Sequence, residues 1–140
     1  MRHLLYLAYL MKHKSRVFLH CVRLGVPIRG VVHDISKFSR IDWLGIGRQF
    51  YPSDESEKND NTVLFQSAKE HHRVRNEHEV DHWYDAEEDP HAIPETVLRE
   101  VVADWAAFQG VSCSGKQIRE LAARSYQSWW PAPQNLIQML

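Results

Sequence analysis

The sequence predicts an all-α fold: a compact bundle of five to six helices, formed by a single domain over residues 1–140. Apolar residues recur at helical spacing in several long segments, and no segment of convincing length alternates in the manner of a strand. Short stretches rich in glycine, proline or acidic residues separate these segments. A chain of this length can bury roughly 68% of its unfolded surface in one core.

The first two helices are predicted from apolar spacing and from the residues that end each run. The first spans residues 4–24 and ends at Gly25 and Pro27, because glycine suits a helix C-terminus and proline does not continue a helix. Its predicted inner face contains Tyr6, Leu10, His13, Val17 and Leu24. The second helix spans residues 28–44, and its predicted buried stripe contains Ile28, Val31, Val32, Ile35 and Phe38.

The remaining elements follow from turn formers and capping residues. Residues 52–61 are predicted to form an exposed loop, and a third helix follows at 62–81 with a broad face of Leu64, Ala68, His71, Arg75, His78 and His82. A second loop at 85–92 precedes a fourth helix that begins at residues 93–95, because proline and an acidic residue suit the first turn. This helix runs to Phe108, and its predicted face contains Val97, Val101, Asp104 and Phe108. Ser114 and Gln117 match a capping box for a last helix.

Composition argues against several classes of protein. The 17 basic residues nearly cancel the 18 acidic ones, which argues against a globally basic nucleic-acid binder and against a highly charged disordered chain. Two cysteines, no cleavable signal and no run of 18 apolar residues predict a protein of the cytoplasm without a membrane segment. Residues 1–40 are basic and residues 77–100 are acidic. These segments either pair across the fold or provide a basic rim for an anionic substrate.

Nine histidines in 140 residues are the feature that a generic domain does not explain. Histidine is the commonest metal ligand among side chains. Asp104 lies on an apolar helix face, where a carboxylate is costly unless it is paired or binds a metal. A divalent ion shared with His13, His33 and Asp34 would meet that need. Imidazole and carboxylate ligands suit manganese, iron, cobalt, nickel or zinc, as one ion or two.

This pattern resembles the HD superfamily of metal-dependent phosphohydrolases, whose signature is a His, an adjacent His-Asp, further His ligands and a distal Asp on a helical bundle. HDISK at 33–37 is close to the HD-x-x-K form of several members. A longer resemblance, to a bacterial and phage HD-like family of unknown function, covers most of the chain. It is carried by His13-Lys14, LGVPIRGVVHDISKFS at 24–39, HHRVRNEHE at 71–79, IPETVLRE at 93–100 and Asp104-Trp105. Glu79 departs from that family, which has a second histidine there.

The resemblance implies roles for particular residues. One metal would be held by His13, His33, Asp34 and Asp104, and a second, bridged by Asp34, by His72 and His78. Lys37 and Arg75 would contact phosphate, Asn76 would orient the substrate or a ligand, and Glu100 would support a ligand. His71 competes with His72, because six residues before His78 is a poor helical spacing unless the helix breaks between them. The other histidines, His3, His20, His82 and His91, are expected at the surface or at an interface.

The function implied is hydrolysis of a small phosphorylated metabolite, most plausibly a nucleotide, by a metal-activated water. Two alternatives stay open. One is an HD-type di-iron oxygenase with the same ligand set, and the other is a non-catalytic, metal-containing binding protein. No organic cofactor is expected, and homo-oligomerisation stays open. The protein is expected in the cytoplasm of a bacterium, or of the host if the chain is encoded by a phage.

Overall fold

A computed structural model describes residues 1–79, 82–83 and 93–110, and within these ranges the chain forms six α-helices, one 3₁₀ helix and no strand. The predicted all-α bundle is therefore confirmed. The predicted loop at 85–92 and the helix predicted from Ser114 lie outside the described residues. The elements are α1 (Arg2–Arg23), α2 (Pro27–Val32), a 3₁₀ helix (Ile35–Phe38), α3 (Arg40–Phe50), α4 (Glu55–Asp60), α5 (Thr62–Arg75) and α6 (Glu95–Gln109).

Helix α1 ends as its sequence predicts. Gly25 has a positive φ of 77°, a conformation that glycine adopts without a steric penalty. Its amide bonds the Val22 carbonyl, and the Val26 amide bonds the Cys21 carbonyl, which is the hydrogen-bond pattern of a Schellman cap. The buried face of α1 contains Tyr6, Leu10, His13, Val17, His20 and Cys21. His20, expected at the surface or at an interface, is therefore buried instead.

The second predicted helix is wrong, because the chain breaks at His33 and Asp34 into α2, the 3₁₀ helix and α3. Helix α2 turns Gly30 towards α1, where an added Cβ would lie 2.8 Å from the Cβ of Cys21. The stripe that was predicted to be buried faces solvent, from Phe38 at 44% exposure to Ile28 at 76%, with Val31, Val32 and Ile35 between. The helical period is interrupted at this break. A single period applied across residues 28–44 therefore assigned these apolar residues to the wrong face.

The segment predicted as a loop contains the short helix α4, whose residues are mostly exposed. Asp54 caps it by accepting a hydrogen bond from the Glu57 amide at 2.9 Å. Helix α5 then packs closely on α3, since a Cβ at Gly45 would lie 2.5 Å from the Cβ of Ala68. It ends at Arg75, six residues before the predicted end at 81, so His78 follows the helix.

Helices α1 and α6 run antiparallel. Arg99, near the start of α6, donates to the Leu24 carbonyl after α1, whereas Asp104 lies against His13. An apolar seam joins this pair of helices, consisting of Val17, Cys21, Val26, Ala103 and Ala107. Helix α6 has almost the predicted extent, but Phe108 is 68% exposed and does not belong to its buried face. None of the described helices combines the length and apolar character needed to cross a bilayer.

Candidate metal centre

The centre of the site is Asp34, which occupies the break between α2 and the 3₁₀ helix. Its φ of 56° makes it the one non-glycine residue with positive φ in the described part of the chain. Such a conformation is uncommon for a residue with a Cβ, although aspartate and asparagine tolerate it better than most. Lys14 of α1 donates to the carbonyl oxygens of Val31 at 2.7 Å and of His33, which satisfies backbone acceptors where α2 ends. The turn therefore places a fully buried carboxylate among three helices.

One set of ligand atoms faces the Oδ2 side of Asp34. The Nε2 atom of His13 lies 2.9 Å from Asp104 Oδ1, and His33 Nε2 lies 3.4 Å from the same oxygen. Asp34 Oδ2 is 3.8 Å from His13 Nε2 and 3.5 Å from His33 Nε2. Atoms of His13, His33 and Asp104 lie within 4.8 Å of one another, which is compatible with shared ligation of one ion. We call these three residues the first ligand group.

A second set of ligand atoms faces Asp34 Oδ1. His72 Nε2 lies 3.2 Å and His78 Nε2 lies 3.4 Å from this oxygen. Atoms of Asp34, His72 and His78 also fall within 4.8 Å of one another, and we call them the second ligand group. Glu79 Oε1 lies 3.3 Å from His72 Nε2 and can supply a fourth ligand atom to this group. Asp34 thus has one carboxylate oxygen on each side.

We define the Asp34 cluster as the two ligand groups together with Glu79 and Glu100. The atoms that face its interior include three buried atoms without a hydrogen-bond partner among the described residues: His33 Nε2, Asp34 Oδ1 and His72 Nε2. A buried polar atom left without a partner costs about 1–3 kcal/mol. Three such atoms that converge on one carboxylate are the arrangement that a bound cation would satisfy. The residues present therefore fit one or two transition-metal ions.

Glu100 links the two ligand groups from behind. Its Oε1 atom accepts from His33 Nδ1 at 2.9 Å and lies 3.1 Å from His78 Nδ1. A carboxylate in this position holds Nδ1 of each ring as a hydrogen-bond donor, so that Nε2 is the ring atom that faces the cluster and is available to an ion. Arg29 lies 3.4 Å from the other oxygen of Glu100 and 2.6 Å from Glu77. These contacts also pair the basic N-terminal segment with the acidic 77–100 segment, as one of the two interpretations of the charge pattern predicts.

His72 is oriented by residues that the sequence analysis did not single out. Its Nδ1 atom lies 2.8 Å from Ser36 Oγ and 3.4 Å from Asp42 Oδ2. Asn76 donates to Ser36 Oγ at 2.8 Å and to the His72 carbonyl at 2.6 Å. Asn76 therefore positions a histidine, one of the two roles expected for it. Asp42 was missed, although Ser39-x-x-Asp42 has the spacing of a helix N-terminus and could have revealed the start of α3.

The two residues predicted to contact phosphate, Lys37 and Arg75, lie in very different surroundings. Lys37 Nζ is 2.5 Å from Asp34 Oδ2, so its ammonium group touches the central carboxylate. Arg75 is exposed and makes no hydrogen bond or ion pair with the cluster within the described ranges. The structure also separates the two neighbouring histidines: His72 faces Asp34, whereas His71 Nδ1 lies 2.7 Å from Asp42 Oδ1.

Charge within the Asp34 cluster favours cations. Burial lowers the pKa of His33, but the nearby carboxylates of Asp104 and Glu100 raise it to about 9. Burial likewise lowers the pKa of His78, but contacts with Asp34 and Glu100 raise it to about 9. Burial raises the pKa of Asp34, yet the nearby Lys37 ammonium and the imidazoles hold it well below its usual range. The carboxylates thus create a negative potential in a largely buried space.

Comparisons with known proteins identify the family of the chain. Searches of curated proteins and of solved structures found no match. The family model described as "Family of unknown function (DUF5662)" matches residues 2–137, nearly the whole chain. The chain therefore belongs to the DUF5662 family, a family of unknown function.

Proposed function

We propose that this protein is a metal-dependent phosphohydrolase that acts on a small phosphorylated metabolite, most plausibly a nucleotide. The observation that carries the proposal is the position of Asp34, with one carboxylate oxygen towards each of two histidine-containing ligand groups. A carboxylate so placed suits a bridge between two cations about as far apart as those of two-metal hydrolases, roughly 3.5–4 Å. The resemblance to HD phosphohydrolases supports the same reaction class.

Each ligand group would hold one ion. His13, His33 and Asp104 would hold the first, and His72, His78 and Glu79 the second, with Asp34 shared. Bound divalent ions would supply an electrophile for a phosphate oxygen and lower the pKa of a nucleophilic water. Glu100, Ser36 and Asp42 would keep the histidine rings fixed during the reaction.

Lys37 is the residue best placed to bind the substrate's phosphate. Its ammonium group contacts Asp34, so it lies at the edge of the cluster and keeps positive charge there. A phosphoryl group that arrives at the cluster would offer Lys37 a second anionic partner. In the absence of substrate, the ion pair with Asp34 keeps this half-buried ammonium from being left unpaired.

The test is release of phosphate from a panel of nucleoside mono-, di- and triphosphates by protein loaded in turn with Mn²⁺, Fe²⁺, Co²⁺, Ni²⁺ or Zn²⁺. Asp34→Asn keeps a side chain that tolerates positive φ but removes the bridging charge, so we expect at least about a 100-fold loss of activity. Asp60→Ala removes an exposed carboxylate and is the matched control, with unchanged activity expected.

A fully loaded protein that leaves the whole panel intact would contradict the proposal. Oxygen consumption by the iron-loaded protein, with no phosphate release, would instead support the di-iron oxygenase. A metal content unaffected by Asp34→Asn would show that the ions do not bind at the Asp34 cluster.

A further inference from the structure

A surface cavity of about 140 Å³ opens between α1 and α6 beside the first ligand group. Its floor contains the buried residues His13 and Ala107, and its rim contains the exposed residues Tyr9, Lys12, Arg16 and Phe108. His13 lies in both places, because its Nε2 atom faces Asp104 while its ring contributes to the cavity floor. A molecule in the cavity would therefore contact the Asp34 cluster through His13.

The two cations at the cavity rim, Lys12 and Arg16, differ from the other cations near the cluster in their contacts with protein groups. Lys14 donates to backbone carbonyls, Lys37 contacts Asp34, and Arg29 contacts Glu77 and Glu100. Lys12 and Arg16, by contrast, make no hydrogen bond or ion pair with any residue that the structure describes. Nearby negative charge comes from the C-terminal end of α6, about half a charge, and from the Asp104 carboxylate beside His13, and the two full positive charges of Lys12 and Arg16 exceed this sum. The cavity rim therefore has a net attraction for anions.

The size and the other walls of the cavity restrict what it can hold. Pockets for a whole drug-sized ligand typically measure about 300–1,000 Å³, so this cavity suits one group of a larger molecule. Tyr9 is 43% and Phe108 is 68% exposed, and these two rings can cover the carbon atoms of a ligand. The Tyr9 ring is stacked on His13, with 6.1 Å between centroids and 6° between planes, which ties the rim to the cluster.

We propose that this cavity binds a second phosphate group of the substrate, through Lys12 and Arg16, while the first phosphate lies at the Asp34 cluster. The substrate class is then a nucleotide with two linked phosphate groups rather than a simple monophosphate. The identity of the substrate rests on the proposed function, but anion binding by the cavity does not. Lys12 and Arg16 select the ligand and take no part in the chemistry at the cluster.

The experiment measures binding of ADP, AMP and adenosine by calorimetry to the full-length Asp34→Asn protein in metal-free buffer. We expect ADP to bind at least tenfold more tightly than AMP, and adenosine to bind most weakly. The Lys12→Ala/Arg16→Ala double substitution in the same background should weaken ADP binding at least tenfold and abolish the preference for ADP over AMP. Lys69→Ala, which removes an exposed lysine from α5, should leave both affinities unchanged.

Several results would overturn the proposal. One is equal affinity of the Asp34→Asn protein for ADP and AMP, and another is ADP binding that survives the double substitution. An ADP preference that is insensitive to salt between 0.1 M and 0.5 M NaCl would also contradict it, because exposed charges are screened over this range. Wild-type protein in chelator repeats the comparison without a substitution at Asp34. If no phosphate is ever released but the preference for ADP depends on Lys12 and Arg16, the proposed function fails and the anion site stands.

Discussion

The Asp34 cluster and the apolar seam occupy adjacent parts of the same pair of helices. On α1, His13 of the cluster lies one turn before Val17 of the seam, and on α6 Ala103 of the seam directly precedes Asp104 of the cluster. The seam is made of small and branched apolar side chains that are almost fully buried. The histidines of the cluster, Asp34 and Glu100 are nearly as buried, although they are polar or charged, whereas Asp104 and Glu79 are partly exposed.

The difference between the two regions lies in what completes them. Apolar side chains are stabilised by removal from water, at about 25 cal/mol per Å² of buried area, and need no further partner. The cluster contains buried nitrogen and oxygen atoms that protein groups do not satisfy within the described residues. Its stability should therefore depend on a bound cation, whereas that of the seam and its apolar surroundings should not.

The largest effect is expected from metal removal. A ligand at 1,000 times its dissociation constant stabilises the folded state by about 4 kcal/mol. Addition of a chelator to metal-loaded protein should therefore lower the melting temperature by several degrees, as measured by scanning calorimetry. The Asp34→Asn protein should show almost no change with chelator. A melting temperature of wild-type protein that is the same with metal and with chelator would mean that the cluster is complete without an ion.

The next effect concerns an apolar residue on α1, the helix that contains His13 of the cluster. Leu10 lies on α1, less than one turn before His13, and is fully buried. Leu10→Ala should destabilise the protein by about 2–5 kcal/mol through lost burial and a residual cavity. Urea denaturation should give the same loss with metal as with chelator. A loss that depends on metal would show that apolar packing and the cluster are energetically coupled.

A smaller effect is expected at Glu100, which contacts one histidine of each ligand group. Glu100→Gln keeps the shape of the side chain but weakens both contacts. We expect metal affinity to fall about tenfold to 100-fold, the usual range for residues that orient metal ligands. Metal titration by calorimetry measures it, with Glu77→Gln as the control that perturbs the Arg29 contact alone. If affinity is unchanged, Glu100 supports the fold rather than the metal centre.

The smallest effect is expected from a surface charge. A hydrogen bond from the Ser53 amide and the ion pair with Arg2 lower the pKa of Glu57 to about 2, against an ordinary value of 4.5. Because the folded pKa is the lower one, the stabilisation is fully present above pH 4.5 and is lost as pH falls towards 2. At neutral pH, the Glu57→Gln protein should thus be slightly less stable than wild type. In acid, the two stabilities should converge. Carboxyl titration by NMR checks the pKa directly, and an ordinary value would refute the contact.

The spacing of apolar residues predicted the positions of helices correctly where a single helix has a single buried face. Helices α1 and α6 lie nearly where the sequence predicts, because their apolar positions repeat and Gly25 or Gly110 ends each run. The same spacing gave a wrong prediction over residues 28–44, where three short elements replace one helix. The positive φ of Asp34 has no local sequence signal, since it is held by tertiary contacts such as those of Lys14 with the turn.

The sequence by itself determined the helical class, the ends of the long helices and the residue types of a candidate metal centre. It also identified six candidate ligands: His13, His33, Asp34 and Asp104 because a carboxylate on an apolar helix face requires a partner, and His72 and His78 through the resemblance to a metal-binding family. Only the tertiary structure decided that the two oxygens of Asp34 face different ligand groups, that His72 rather than His71 faces them, and that Ser36 and Asp42 orient His72. These contacts join residues distant in sequence, and their directions depend on a turn that no repeating pattern encodes.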